Sequence, residues 1–211
     1  MEAWNQAWQS AEGREEWLTP EPFVVELVPE LQAAGVKRVL DLGFGVGRHA
    51  LLLAREGFQV AGLDASENGL VYAQEWGQRE GFQLELTSGE MSALPYANGE
   101  FGAILSWNVI YHGTMEVIQQ TMSEMTRCLK PQGYLICSLI STQHSMAGKG
   151  VEIEPRTYVI PGAGEREHPH HYFNRADIDA CFGDYTLLQL QDVTQREADD
   201  YHWQLLAQRK R

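Results

Sequence analysis

The sequence predicts an α/β protein organised on a parallel sheet, and three observations carry that expectation. An apolar run, Val39-Leu40, ends on the carboxylate Asp41 and enters a turn with glycines at 43, 45 and 47. A second apolar run, Val60 to Leu63, ends on another carboxylate, Asp64, after an intervening helical stretch. Two further apolar runs, Phe101 to Trp107 and Gly133 to Ile140, have the continuous character of buried central strands. Strand, glycine turn, helix and strand make a βαβ unit, with its ligand crevice at the carboxyl ends of the strands.

Residues 1 to 18 carry Trp4, Trp8 and Trp17 among polar neighbours. Trp4 and Trp8 share a face if this stretch is helical. Thr19 is a candidate helix cap, with Pro20 at the first helical position. Phe23, Val24, Leu27 and Leu31 follow at helical spacing, Pro29 is expected to kink or split the helix, and Gly35 ends it. Residues 1–35 are thus expected to form a helical cap, with Trp4 and Trp8 free to cover a pocket.

After the βαβ unit, Ser66 can cap a helix carrying Leu70, Val71, Ala73 and Trp76. Phe82 to Thr87 alternates as a half-exposed edge strand would. Met115, Ile118, Met122, Met125 and Leu129 recur every three or four residues, a stripe that reads as core packing. Residues 142–172 form a long irregular stretch rich in Gly, Pro and His, and a loop of that length in a compact domain is usually functional. Asn174 can cap a last helix, and Tyr185 to Asp192 and Tyr201 to Gln208 read as two final strands. We expect one domain over residues 1–211.

Bulk properties narrow the function. The chain has 211 residues, is 44% hydrophobic and carries a net charge of -13. That composition is globular, and that sign of charge disfavours nucleic-acid and membrane partners. No apolar run approaches the ~20 residues of a membrane span. The start, Met1 to Asn5, lacks the basic region and apolar core of a signal peptide, so a cytoplasmic location is expected. Cys128, Cys137 and Cys181 are an odd set without paired spacing, which argues against disulfides and zinc clusters. Oligomeric state leaves no trace in the sequence.

The turn separates two kinds of nucleotide ligand. A dinucleotide fingerprint wants G-x-G-x-x-G, but Arg48 occupies the third glycine position. Asp41 would also repel a pyrophosphate. A carboxylate there suits a ligand carrying an ammonium, and Asp64 could accept the two hydroxyls of a ribose. Both groups occur in S-adenosyl-L-methionine.

With these residues in view, the chain resembles the class I S-adenosylmethionine-dependent methyltransferases, small-molecule type, similar to tellurite-resistance and ubiquinone-biosynthesis methyltransferases. The resemblance rests on Asp41 to Gly47, Asp64, Glu90-Met91, Trp107 to His112 and the turn Lys130 to Gly133. It implies a three-layer Rossmann-like fold with a seven-stranded sheet, mostly parallel with an antiparallel last strand, beneath an N-terminal helical lid. It implies cofactor contacts from Asp41, Gly43, Gly45, Gly47, Asp64, Ala65, Glu90, Met91, Trp107 and Asn108. Glu90 stands where the family more often has Asp. It also implies methyl transfer to a small-molecule substrate by in-line displacement, which needs no nucleophilic side chain. His112, His170, His171 and Tyr172 are the candidates for substrate contact or proton removal, since an imidazole titrates near neutrality. No metal is assigned, because Pro169 breaks up the set His168, His170 and His171, and no Cys or i, i+4 pair supports it. The alternatives are a nicotinamide-dependent oxidoreductase and a protein that binds S-adenosylmethionine without catalysis.

Overall fold

The computed structural model describes residues 2–211; Met1, the first residue of the expected cap, lies outside them. The chain opens with short helices α1 (Glu2–Ala7) and α2 (Ala11–Glu15), then α3 (Pro22–Ala33). Strand β1 (Arg38–Leu42), helix α4 (Arg48–Arg55) and strand β2 (Gln59–Asp64) form the βαβ unit. Helix α5 (Glu67–Arg79), β3 (Glu85–Ser88), β4 (Phe101–Ser106), α6 (Met115–Cys128) and β5 (Leu129–Ile140) follow. The long loop holds β6 (Val151–Glu154), β7 (Thr157–Val159), a 3-10 turn (Gly164–Glu167) and β8 (His170–His171). Helix α7 (Arg175–Cys181) and strands β9 (Tyr185–Thr194) and β10 (Tyr201–Arg209) complete it.

The main sheet has seven strands in the order β3-β2-β1-β4-β5-β10-β9. β1 to β5 pair in parallel, and β10 runs antiparallel to both its neighbours. The order reverses between β1 and β4, which opens a crevice at their carboxyl ends. Alternation along the strands feeds two cores. Val39, Val60, Leu105 and Ile136 pack with Phe23, Leu27 and Leu31 of α3 and Leu53 of α4. Leu40, Leu63, Ile104 and Leu135 pack with Ile118, Met122 and Met125 of α6 and Ile178 of α7. Helix, sheet and helix are the three layers expected.

Several boundaries differ from expectation, each for a local reason. The cap of α3 is Glu21, with Pro22 at the helix start, not Thr19 and Pro20. Pro29 neither splits nor ends α3. It deprives the Val25 carbonyl of its partner, and Val25 is 44% exposed, so solvent can take the bond. The edge strand starts at Glu85 rather than Phe82 because Leu84 turns back onto α5, where even a Cβ at Gly77 would lie 3.2 Å from it. The loop 142–172 is not irregular: β6, β7 and β8 make a small sheet. Ser66 caps α5 by accepting from the Gly69 N–H, and Asn174 closes a capping box with Asp177 on α7.

Candidate functional site

The crevice at the strand ends deepens into a cavity of about 440 Å³, a volume typical of small-molecule sites. Its floor is the glycine turn. Gly43, Gly45 and Gly47 have φ of 73°, 55° and 90°, a region that side chains disfavour. The Gly43 N–H donates to the Leu63 carbonyl at 2.7 Å, which lashes the turn to the end of β2. A Cβ on Gly43 would lie 2.1 Å from Val109. Glycine is therefore required there for packing as well as for the turn.

Asp64 closes β2 and faces the cavity. Its carboxylate accepts from the backbone N–H of Gly45 and of Ser66, each at 2.7 Å. Burial raises its pKa, and the N–H groups of Ser66, Gly45 and Ala65 oppose that rise. Asp41 is buried behind the turn, and its Oδ2 has no hydrogen-bond partner. Burial raises its pKa to about 7, against the pull of the Arg48 charge and with a push from Asp64. A buried carboxylate oxygen without a donor is costly unless a ligand supplies one. Arg48, in the position of a third fingerprint glycine, serves as an anchor. Its guanidinium donates to the Thr19 carbonyl at 3.1 Å and pairs with Glu21 at 3.0 Å, both from the segment leading into α3.

The N-terminal segment roofs the cavity. The rings of Trp4 and Trp8 stack at 5.1 Å, and Trp17 meets both edge-on. Trp8 lies over the turn, 3.5 Å from where a Gly45 Cβ would be. Asn5 pins α1 to α5: its Oδ1 accepts from Ser66 Oγ and the Asn68 N–H, both at 3.0 Å, and its carbonyl accepts from Asn68 Nδ2 at 2.7 Å.

Past the end of β4, Asn108 takes a left-handed φ of 60°. Its N–H donates to Ser138 Oγ at 2.8 Å, and that hydroxyl donates back to Asn108 Oδ1 at 2.7 Å. This fixes the corner from which Trp107, Asn108 and His112 face the cavity. His112 packs in T-shape against Trp4. Burial, then the nearby His170 and His168, push the His112 pKa well down; burial takes His168 to about 4.

Gly43, Gly45, Asp64, Ala65, Glu90, Met91, Trp107, Asn108 and His112 all line the cavity. Asp41 stands one layer behind it, and Gly47 is the N-cap of α4, packed against Ala73. Three expected contact residues are corrected. β8 pairs with β7, and strand alternation sends His171 away from the cavity. Its ring meets Thr157 Oγ1 at 2.8 Å and lies 3.6 Å from Asp177. Tyr172 is buried, with its hydroxyl accepting from Arg166 at 3.1 Å. His170 is buried behind His168 and His112 and bonds Glu165 at 3.1 Å. In their place the cavity gains Trp17, Arg48, His49, His168 and Pro169. His168 and Pro169 lie two and one residues before the expected His170 and reach the cavity where it does not. His49 and Trp17 gave no spacing signal, because tertiary packing alone brings them in.

A seven-stranded sheet between helical layers, with a glycine turn after β1, Asp64 at the end of β2 and an unpartnered buried Asp41 carboxylate, places the protein among the Rossmann-like α/β proteins. Residues 39–133 match the methyltransferase domain family model. A putative methyltransferase of Geobacillus is 32% identical over 142 residues, covering 67% of this chain and 53% of that protein. A ubiquinone biosynthesis O-methyltransferase of Dinoroseobacter shibae is 31% identical over 107 residues, 49% of this chain and 41% of that one. The chain thus spans about half the length of these curated relatives. The crystal structure of Burkholderia thailandensis 1,6-didemethyltoxoflavin-N1-methyltransferase, bound to its substrate and S-adenosylhomocysteine, superposes with a TM-score of 0.72 at 19% identity. It covers 95% of this chain and 83% of that one. Residues 39–133 thus carry a methyltransferase domain, and the chain as a whole is similar to S-adenosylmethionine-dependent methyltransferases.

Proposed function

We propose that the protein transfers the methyl group of S-adenosyl-L-methionine to a small-molecule acceptor. The observation that carries this reading is the unpartnered Asp41 Oδ2 beneath a glycine cradle that opens into an aromatic cavity. Asp41 would meet the cofactor's ammonium. Gly43, Gly45 and Gly47 let the backbone come close to it. Asp64 has accepting capacity left for ribose hydroxyls, with Ala65 beside it. Glu90 and Met91 would flank the adenine, and Trp107 and Asn108 the sulfonium end. When bound, the cofactor supplies an activated methyl carbon, so the protein's task is to align the acceptor and exclude water. Trp4, Trp8 and Trp17 roof the space, and their ring faces also suit a positive charge. His112 and His168 stand at the acceptor end, where burial keeps their imidazoles neutral.

Further parts of the reading rest on charge and layout. Residues 1–211 act as one domain, with 1–35 as its cap and 142–172 on the substrate side. Among the described residues no helix is long and apolar enough to cross a membrane. With a net charge of -13, we take the acceptor to be neither nucleic acid nor lipid surface, and the location to be cytoplasmic.

The test is a metabolite-extract screen for S-adenosylhomocysteine production, followed by mass spectrometry of the methylated product. Calorimetric titration with S-adenosylmethionine and with NADH separates this reading from a nicotinamide oxidoreductase. Tight S-adenosylmethionine binding without turnover on any extract would favour a binding protein.

A further inference from the structure

We propose that His112, Glu165, His168 and His170 form a binding site for a divalent transition metal that opens onto the acceptor end of the cavity. One donor atom from each of the four lies within 4.8 Å of the others. They come from three places in the chain: the corner after β4, the 3-10 turn and the segment from His168 to His170 at the start of β8. The nearest approach is His112 Nδ1 to His168 Nε2 at 2.8 Å. Ligands around a tetrahedral zinc ion stand about 3.3 Å apart, given metal–nitrogen bonds of about 2.0–2.1 Å. The spacing in the cluster brackets that value, so small side-chain rotations suffice.

The outer hydrogen bonds fix the tautomers. His112 Nε2 faces the Asn108 carbonyl at 3.1 Å, and a carbonyl only accepts, so the proton is on Nε2 and the lone pair on Nδ1. His170 Nδ1 likewise faces the His168 carbonyl at 3.0 Å, which leaves the lone pair on Nε2. That nitrogen faces a Glu165 carboxylate oxygen 3.1 Å away, a contact that needs either a second proton on the ring or a cation between the two groups. A metal ion is the second of these, taking the nitrogen lone pair and the carboxylate oxygen together. A metal ion would at the same time use the lone pair that His112 turns toward His168. Imidazoles oriented through carbonyl acceptors on their far nitrogens are the usual outer arrangement of metal-binding histidines. Three nitrogens and one carboxylate favour zinc-like ions over magnesium or calcium, which prefer oxygen.

His112 and His168 also line the cavity, so a fifth ligand, added as the ion expands its coordination, would enter from the space for the acceptor. Resting on the methyl-transfer reading, such an ion would hold the acceptor's heteroatom. The acceptor's X–H proton passes to solvent, the anion attacks the methyl carbon, and the carbon–sulfur bond breaks to leave a neutral thioether.

Metal binding is measured on tag-free protein, first stripped with chelator, by calorimetry with zinc chloride and by visible spectroscopy with cobalt(II). The expected result is one equivalent bound, with the intense ligand-field bands of a four-coordinate cobalt ion. A Glu165→Gln/His168→Ala variant with an unchanged circular dichroism spectrum should bind at least a hundredfold more weakly. His202→Gln, a buried histidine outside the cluster, should bind as wild type. No stoichiometric metal in the wild type, or equal binding in the double variant, would overturn the site. A small thiol should shift the cobalt bands. Unshifted bands would mean a closed structural ion and would overturn the acceptor role. These readouts need no turnover, so a failure of the methyl-transfer reading would show separately, as absence of S-adenosylhomocysteine.

Discussion

The carboxylate of Asp64 accepts a hydrogen bond from the backbone N–H of Gly45 at 2.7 Å, so the end of β2 grips the turn that follows β1. The group expected to hold a ribose also holds the cradle beneath it. Asp64→Ala should therefore lower affinity for S-adenosylmethionine by on the order of tenfold or more, given the strength of charge-assisted bonds. It should also lower the melting temperature, because two N–H groups lose their acceptor. Calorimetry and thermal denaturation check both. Unchanged affinity would remove Asp64 from the site.

If Asp41 meets the cofactor's ammonium as proposed, binding should depend on pH. Burial holds its pKa at about 7, and an ammonium prefers the ionised form. Affinity should rise between about pH 6 and about pH 8, and Asp41→Asn should flatten that rise. Stability should move the other way. A carboxyl whose folded pKa is raised from 3.8 to about 7 contributes stability that is fully present below about pH 4, falls as pH climbs from there to about 7, and is gone above it. Melting curves of wild type and Asp41→Asn across that window measure the difference.

Two glycines of the turn should respond differently to a methyl group. In Gly43→Ala the new Cβ meets Val109 at 2.1 Å, so the fold should lose stability. In Gly45→Ala the nearest atom is Trp8 at 3.5 Å, and the fold loses only the left-handed strain, about 1–2 kcal/mol. The second variant should fold and bind the cofactor poorly; the larger Gly45→Val should not bind it at all. Equal stability loss in both alanine variants would contradict the geometry.

Removing the Asn5 side chain takes away two of the three bonds that pin α1. Asn5→Ala should speed cofactor release in stopped-flow tryptophan fluorescence, with a smaller effect on the melting temperature. Trp4, Trp8 and Trp17 report directly, since all three line the cavity.

The βαβ unit was legible because its signals are local: apolar runs, alternating glycines and a carboxylate at each strand end. Most of the residues expected at the cofactor line the cavity, since strand ends in such a sheet converge. The acceptor half was harder. His112 was found from its place after β4, but His171 and Tyr172 were misplaced. Whether a side chain in that loop faces inward depends on the pairing of β7 with β8, a partner 14 residues away for His171. One residue of register turns such a chain over. Glu165 gave no signal, because a lone carboxylate in a polar turn looks like any solvated acid. The cap of α3 was misread because Thr19-Pro20 and Glu21-Pro22 offer the same pattern twice. Tertiary contacts decide between them: the Glu21 N–H donates to His49 and its carboxylate pairs with Arg48.

Helix α1 touches α5 on one side and the 3-10 turn carrying Glu165 on the other. A molecule lodged beneath Trp8 would lie under that bridge. On the proposed reading, residence time in the cavity would follow a few hydrogen bonds at the rim, while affinity would follow the carboxylates at and behind the floor. The two can be tuned independently: a change at Asn5 alters how long a guest stays, and a change at Asp41 alters how readily it is chosen.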